Sequence, residues 1–443
     1  YTSSIVTYFI LFGSLGVAMY GQREIAYSQQ DKKARTKIFW EIIIVRTISL
    51  TISMIIFYLT FARTGEYALY YRILLIQIFA NIFDISWLFQ GLEEFDKTVI
   101  RNMIVKVLCL ALIFILVKQA GDLWKYFVIY VGAELIGNMS LWLYIPKYLE
   151  KISIKNLQLK KHIKPTLALF LPQIAIQIYT VLDKTMIGAI TNNMAEVGYY
   201  EQAQKVVKAM IMVITALGTV MNSRIANEYS KGNNKEINNC LKQSFNFVWL
   251  LGIPMVFGVM AIASKFVPWY YGEGFEPVIS VLIITSPIML SIGLNNITGL
   301  QYLIQVGEEK TFTKSVIIGA VLNIIFNYVL IKWIGAAGAA ISSVIAETAI
   351  LFVQIKYVKD KIDIKEMFTL SWKCWISGIV MFVCVLGLSN ILGVSILNTM
   401  IEVAVGGIIY ILMLLILKHE FLYDIINQFF NAIKNFKKSR KEI

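Results

Sequence analysis

The feature that most constrains this chain is a recurrence of apolar stretches, each about 18 to 25 residues long, along its whole length. We read thirteen of them, roughly 3–20, 38–61, 67–89, 99–117, 123–145, 167–190, 198–222, 244–263, 276–306, 313–333, 338–356, 372–390 and 396–417. A helix of that length crosses the ~30 Å apolar core of a bilayer while satisfying its own backbone. With 58% apolar residues, 16% charged residues and a mean hydropathy of +0.67, a soluble fold of 443 residues could not bury so much apolar surface. The expected class is an all-α polytopic membrane protein.

Charge sets the orientation. Alternate connections (21–37, 90–102, 146–166, 223–243, 306–315, 355–373 and 418–443) hold 30 of the 41 Lys and Arg, and the opposite set holds five. That bias places the first set, and the C-terminus, in the cytoplasm. The formal net charge of +13 therefore reflects topology and anionic lipid, and no nucleic-acid partner is expected. Cys109, Cys240, Cys374 and Cys384 show no paired or CxxC spacing, and His162 and His419 fall in basic segments read as surface. Neither a disulfide nor a metal site is expected. The tail 418–443 places Phe421, Leu422, Ile425, Phe429 and Ile433 on one helical face ahead of a basic end, as an interfacial helix on anionic lipid does.

An internal echo organises the rest. Leu15, Gly16 and Met19 match Leu217, Gly218 and Met221 at one offset; GLEEFDKT (91–98) resembles GEEKTFT (307–313); and Ala133-Glu134 matches Ala346-Glu347. Their shared order predicts a six-span duplication: two parallel six-helix lobes related by an axis along the membrane normal, with a cavity between them. The domain plan is an N-terminal lobe at 1–145, an inter-lobe linker at 146–166, a C-terminal lobe at 167–356, two additional helices at 357–417 and the basic tail at 418–443. Tyr1 aligns with about Ala203, so a further helix is expected before it and fourteen spans in the complete protein.

Six basic residues lie inside spans: Arg46, Arg72, Lys106, Lys184, Lys205 and Lys208. Ionisable groups at membrane depth are costly and mark functional candidates. Gln173, Gln177, Thr180 and Lys184 form one polar stripe, and Glu201, Gln204, Lys205 and Lys208 line one face of the next span. Entering from outside near Gly198, that span carries Lys205 ~10 Å and Lys208 ~15 Å deep. Lys205 has two plain structural partners, Glu201 on its own face and Asp183 across helices, whereas Lys208 has no acid near it in sequence. Glu134 and Glu347 fit either helix-packing hydrogen bonds or a proton or sodium site. Pro172 is a candidate hinge in the striped span. Lys208, Lys205, Lys184, Arg46 and Arg72 together point to an anionic substrate such as a phosphate or diphosphate, with a lipid's tails left in the bilayer. No catalytic residue and no cofactor is indicated, and a coupling ion, Na+ or H+, stays open.

YFILFGSLGVAMYGQREIA (8–26), SWLFQGLEEF (86–95), LPQIAIQIYTVLDKTMIGAI (171–190), EVGYYEQAQKVVKAM (196–210) and GAAGAAISSVIAETAIL (335–351) resemble the oligosaccharide flippases. This is the polysaccharide-export branch of the superfamily that also holds multidrug and toxin extrusion transporters and lipid II flippases. The resemblance implies a V-shaped bundle working by alternating access. Its substrate would be an undecaprenyl-diphosphate-linked oligosaccharide, moved from the inner to the outer leaflet of a bacterial plasma membrane. By motif position, Asp183, Lys205, Lys208 and Arg23 carry over as family-like residues, although Arg23 sits at the cytoplasmic rim and reads as a topology anchor. Polysaccharide polymerases and glycosyltransferases of the same pathway would be its protein partners. The alternatives are a cation-coupled drug exporter of the same superfamily, which would present acids to its substrates, and a membrane-embedded polymerase, which would need a large outer loop or an acidic motif. No Gly-x-x-x-x-Gly-Lys-Ser/Thr loop is present for an ATP-driven exporter.

Overall fold

The computed structural model describes residues 2–65, 67–152, 157–369 and 371–427, apart from the side chains of 2–4, 120, 172, 173 and 175–181. Helices and short turns account for the described chain, with no strand among these residues. Among the described residues ten helices are long and apolar enough to cross a membrane, or eleven if the bent pair Met194–Ile214 and Gly218–Ser230 is one span, with kinked Glu309–Val358 counted once. The chain is thus an all-α polytopic protein. Expected spans 313–333 and 338–356 are the two helices that meet at the kink at Ile334 and Gly335 within Glu309–Val358, and 167–190 falls on Lys160–Thr191, many of whose side chains lie outside the description. The tail expected to lie along the membrane is outside the described residues from 428 onward.

The chain divides into two compact units. One comprises Tyr1–Ile174, Thr219–Ile237 and Gln305–Thr313; the other comprises Ala175–Gly218, Asn238–Ile304 and Lys314–Ile443. The first has its core where Val6, Leu50, Phe57, Leu74, Ile78 and Val131 meet, all buried.

The same two devices recur in both copies of the sequence echo. The first is a helix break at Leu-Gly. Thr2–Ser14 gives way to Val17–Tyr27 through Leu15 and Gly16, both at positive φ (49° and 74°). A Cβ at Gly16 would stand 3.0 Å from the backbone nitrogen of Phe170, so only glycine lets the two backbones approach. In the second copy Met194–Ile214 turns by 41° into Gly218–Ser230 at Leu217-Gly218. The second device is a mid-span glutamate held by amides. Glu134 accepts from Gln77 (3.0 Å) and Asn81 (3.1 Å), and Glu347 accepts from Asn295 (2.8 Å). Both glutamates thus take the helix-packing role.

Capping fixes where the polar spans start. Asp31 accepts from the backbone N–H groups of Lys33 and Ala34, each at 3.0 Å, ahead of Lys32–Phe57. Asn193 accepts from Ala195 N at 3.0 Å ahead of Met194–Ile214. Within Glu309–Val358 the helical path breaks at Ile334 and Gly335, where Gly335 has φ 55° and ψ −132°. Glu196 restarts the helix there by accepting from Ala336 N at 2.8 Å. A Cβ on Gly335 would also lie 2.5 Å from that same Glu196 oxygen. Gly335→Ala is therefore expected to cost on the order of 1–3 kcal/mol and to lower the melting temperature in detergent. An unchanged melting temperature would mean that the break tolerates a side chain.

Candidate functional site

In the second unit the helix Met194–Ile214 buries Tyr200, Ala203, Val207 and Ile214 and turns its other face outward, which exposes Lys205 and Lys208. Glu201 pairs with Lys184, oxygen to nitrogen 3.2 Å, both side chains being a third or more exposed. Lys205 does not take either acid foreseen for it: its ammonium donates instead to Gln202 Oε1 at 3.4 Å. Lys208 makes no hydrogen bond or ion pair with any described residue. A cation left unpaired part-way along a membrane helix must be met by water or by an anion.

Asp183 is handled in the opposite way. It is 3% exposed and its carboxylate receives only neutral donors: Tyr200 OH (2.6 Å), Asn327 Nδ2 (2.7 Å) and Ser343 Oγ (2.9 Å). Asn327 in turn bonds Asn323 at 3.1 Å. No lysine or arginine among the described residues neutralises this acid. Gln204 is half-buried beside Lys205, while Pro172, Gln173, Gln177 and Thr180 have side chains outside the described residues.

The first unit holds the two arginines. Arg46, 2% exposed on Lys32–Phe57, reaches Asp84 Oδ2 at 3.4 Å, but its Nε and Nη1 have no partner among the described residues. Buried donors of that kind call for an acceptor that arrives from elsewhere. Arg72, exposed, donates from Nε to Ala62 O and from Nη2 to Arg63 O, both at 3.0 Å. It serves as a clamp on the end of the preceding span. Lys106 is exposed on Phe95–Leu116.

The same unit carries a polar network that sequence reasoning missed. Arg23 is ion-paired with Glu309 and with Glu24 (3.3 Å), and its guanidinium lies 5.5 Å from the Tyr20 ring centre. Gln22 donates to Ser223 Oγ at 2.9 Å and to Thr219 O at 3.1 Å, Ser223 donates to Gln90 O at 2.5 Å, and Tyr27 donates to Gln305 O. Each bond joins the basic corner of one sequence copy to a segment of the other. Beneath it His162, expected at the surface, is 1% exposed between Tyr20 OH (2.8 Å) and Glu41 (2.7 Å). Glu41, fully buried, also accepts from Lys161 (3.0 Å) and Gln158 N (2.6 Å). These contacts, with Arg35 donating to Tyr148 O (2.8 Å), bind the segment after Tyr148 to Lys32–Phe57. His419 is likewise buried, 3.4 Å from Cys374 Sγ. The signal in sequence is the GQRE corner itself, where Arg23 reads as a topology anchor and uncharged Gln22 draws no notice.

Broken apolar helices and carboxylates held within them define a polytopic membrane protein. The family described as polysaccharide biosynthesis protein matches residues 1–227, over half of the chain, and the MatE family matches 168–329. The chain belongs to the polysaccharide biosynthesis protein family. It is similar to an Escherichia coli (strain K12) protein named "Putative O-antigen transporter", 22% identical over 365 residues, covering 81% of this chain and 88% of that one. Its fold is similar to MATE in the straight conformation, with TM-score 0.69, 17% identity and 83% and 88% of the two chains covered. It is also similar to the lipid II flippase MurJ in an inward closed conformation, with TM-score 0.59, 16% identity and 95% and 99% covered.

The cross-copy network is expected to hold its corner shut. In a chain whose four native cysteines are replaced by alanine, a cysteine placed at fully buried Ala226 should resist a membrane-impermeant maleimide in inside-out vesicles. Arg23→Ala should raise its labelling several-fold, and Arg23→Glu combined with Glu309→Arg should restore protection. Labelling that ignores Arg23 would leave the ion pair without a closing role.

Proposed function

We propose that this protein flips an undecaprenyl-diphosphate-linked oligosaccharide from the inner to the outer leaflet of a bacterial plasma membrane by alternating access, with its C-terminus in the cytoplasm. Lys208 carries the reading: it is a membrane-depth ammonium, exposed and without a partner among the described residues. A diphosphate is the anion such a group suits, since a charge-assisted bond to phosphate is roughly twice as strong as a neutral one. Lys205 and the Lys184–Glu201 pair lie on the same unit. The lipid tails need no protein site, because they can stay in the bilayer while the head group crosses.

A drug exporter of the same superfamily would hold an acid ready for a cationic ligand. Here Asp183, the mid-span acid nearest in sequence to the basic helix, has its oxygens engaged by Tyr200, Asn327 and Ser343. We assign it instead to a coupling cation such as Na+: at 3% exposure it is closed to a drug-sized ligand, while the hydroxyl oxygens of Tyr200 and Ser343 and the Asn327 Oδ1, without a partner among the described residues, are oxygens a small cation can take beside the carboxylate. Flipping makes and breaks no covalent bond, so the proposed role needs no catalytic residue. Polymerases and glycosyltransferases that build and extend the glycan are its proposed partners.

Lys208→Ala should reduce surface polysaccharide at least about tenfold, the factor set by ~1.4 kcal/mol of lost head-group stabilisation, at unchanged protein level. Lys208→Arg should retain most export. Normal export by the alanine variant would remove the head-group role. In proteoliposomes, transport by the native chain should respond to an imposed pH or Na+ gradient, and Asp183→Asn should abolish that response. A response that survives the substitution would place coupling elsewhere.

A further inference from the structure

The second unit carries a group of aromatic rings that neither the lysines nor Asp183 uses. It lies on 266–275, at the end of Asn234–Tyr271 and in the turn that follows, a stretch whose side of the membrane the charge bias sets as outer. Phe266 and Tyr270 stack with ring centres 4.9 Å apart and 19° between planes, and Tyr271 stacks on Phe275 at 5.6 Å and 28°. Tyr270 meets Tyr271 edge-on at 4.8 Å, and Tyr199 of the basic helix meets Phe275 at 6.1 Å. Gly272 and Gly274, at φ 86° and 88°, turn the chain sharply between the two stacks.

The group is fastened to the helix that presents the cations. Tyr271 OH donates to Gln202 O at 3.1 Å, and the side chain of that same Gln202 receives the Lys205 ammonium at 3.4 Å. On the other side Trp269 Nε1 donates to Thr399 Oγ1 at 2.8 Å. Three polar ends remain uncommitted among the described residues: the hydroxyls of Tyr199 and Tyr270, and the carboxylate of Glu273. Tyr270 is 57% exposed, so the outer face of its stack is open.

Rings that merely mark a bilayer interface behave differently in this same chain. Trp333 is 80% exposed and has no ring contact among the described residues, as a headgroup-level anchor needs none. A stacked platform edged by hydroxyls and an acid suits a ligand with apolar C–H faces and many hydroxyls, which is a saccharide. We infer that Tyr270, Tyr271 and Phe275, with Tyr199 and Glu273 at the edge, form a saccharide subsite that holds the first sugars of the lipid-linked glycan on the outer side. The inference rests on the flippase reading, because the sugar is joined directly to the diphosphate and so must lie within a few ångström of whatever holds it. The shared Gln202 is what puts the platform beside a cation.

The test uses the full chain in nanodiscs and two probes, undecaprenyl diphosphate and the same lipid bearing a trisaccharide. The native protein should bind the sugar-bearing lipid more tightly. Tyr270→Ala should weaken that binding about tenfold, a loss of ~1.4 kcal/mol in line with an aromatic contact, and leave the bare lipid unaffected. Trp333→Ala should change neither. Tyr271→Phe keeps the ring but loses its tether to Gln202, so it should weaken the sugar-bearing lipid selectively while the protein stays folded. Equal losses for both probes, or no loss for either, would overturn the subsite. If the native chain binds both lipids equally well, the flippase reading stands and the subsite falls; if it binds neither, both fall.

Discussion

The structure depends throughout on one constraint: a charge or an open hydrogen-bonding group inside a bilayer must find a partner, because no water is there to supply one. How each ionisable side chain meets it sorts the anchors from the candidates for function. Arg72 is spent on two backbone carbonyls and Arg23 on carboxylates of two segments. Glu134 and Glu347 are held by amides of a neighbouring helix. Lys208 meets the constraint with nothing on the described chain, and Arg46 with a single long contact. A protein that leaves cations uncompensated at depth must draw that compensation from its substrate or from water.

Duplication lets one solution serve twice. The Leu-Gly break bends a span in each copy, and the glutamate–amide pair bolts two helices in each. The copies then diverge where chemistry is needed. The second carries Lys184, Lys205, Lys208 and Asp183 close together in sequence, and the first carries Arg46 with Asp84. The copies thus share a helix break and a glutamate–amide pair and differ in charge.

Much of this was legible beforehand, for reasons that lie in local physics. Apolar length announces a membrane helix, because bilayer thickness is fixed, and the lysine bias between spans announces orientation. The repeat was legible in Leu15-Gly16 and Leu217-Gly218, although not that both mark a helix break. Pairing was poorly legible. Glu201 four residues before Lys205 suggested a bond along one helix, but Glu201 turns to Lys184 and leaves Lys205 to Gln202. His162 stood in a run of lysines and was read as solvated, yet Glu41, 121 residues away, draws it inside. Expected spans 313–333 and 338–356 do part where the chain kinks at Ile334 and Gly335, but nothing local shows that Glu196, far off in sequence, starts the second helix there.

By itself, then, the sequence determined the class of protein, its apolar helices, and which charges had to be explained. Those follow from periodicity, length and composition, which neighbouring residues settle among themselves. Only the tertiary structure decided which charges are satisfied: Asp183 by three neutral donors from other helices, Arg23 by Glu309, and Lys208 by none among the described residues. Satisfaction of a buried polar group depends on atoms brought within about 3 Å by the fold, and no spacing along one chain encodes that distance.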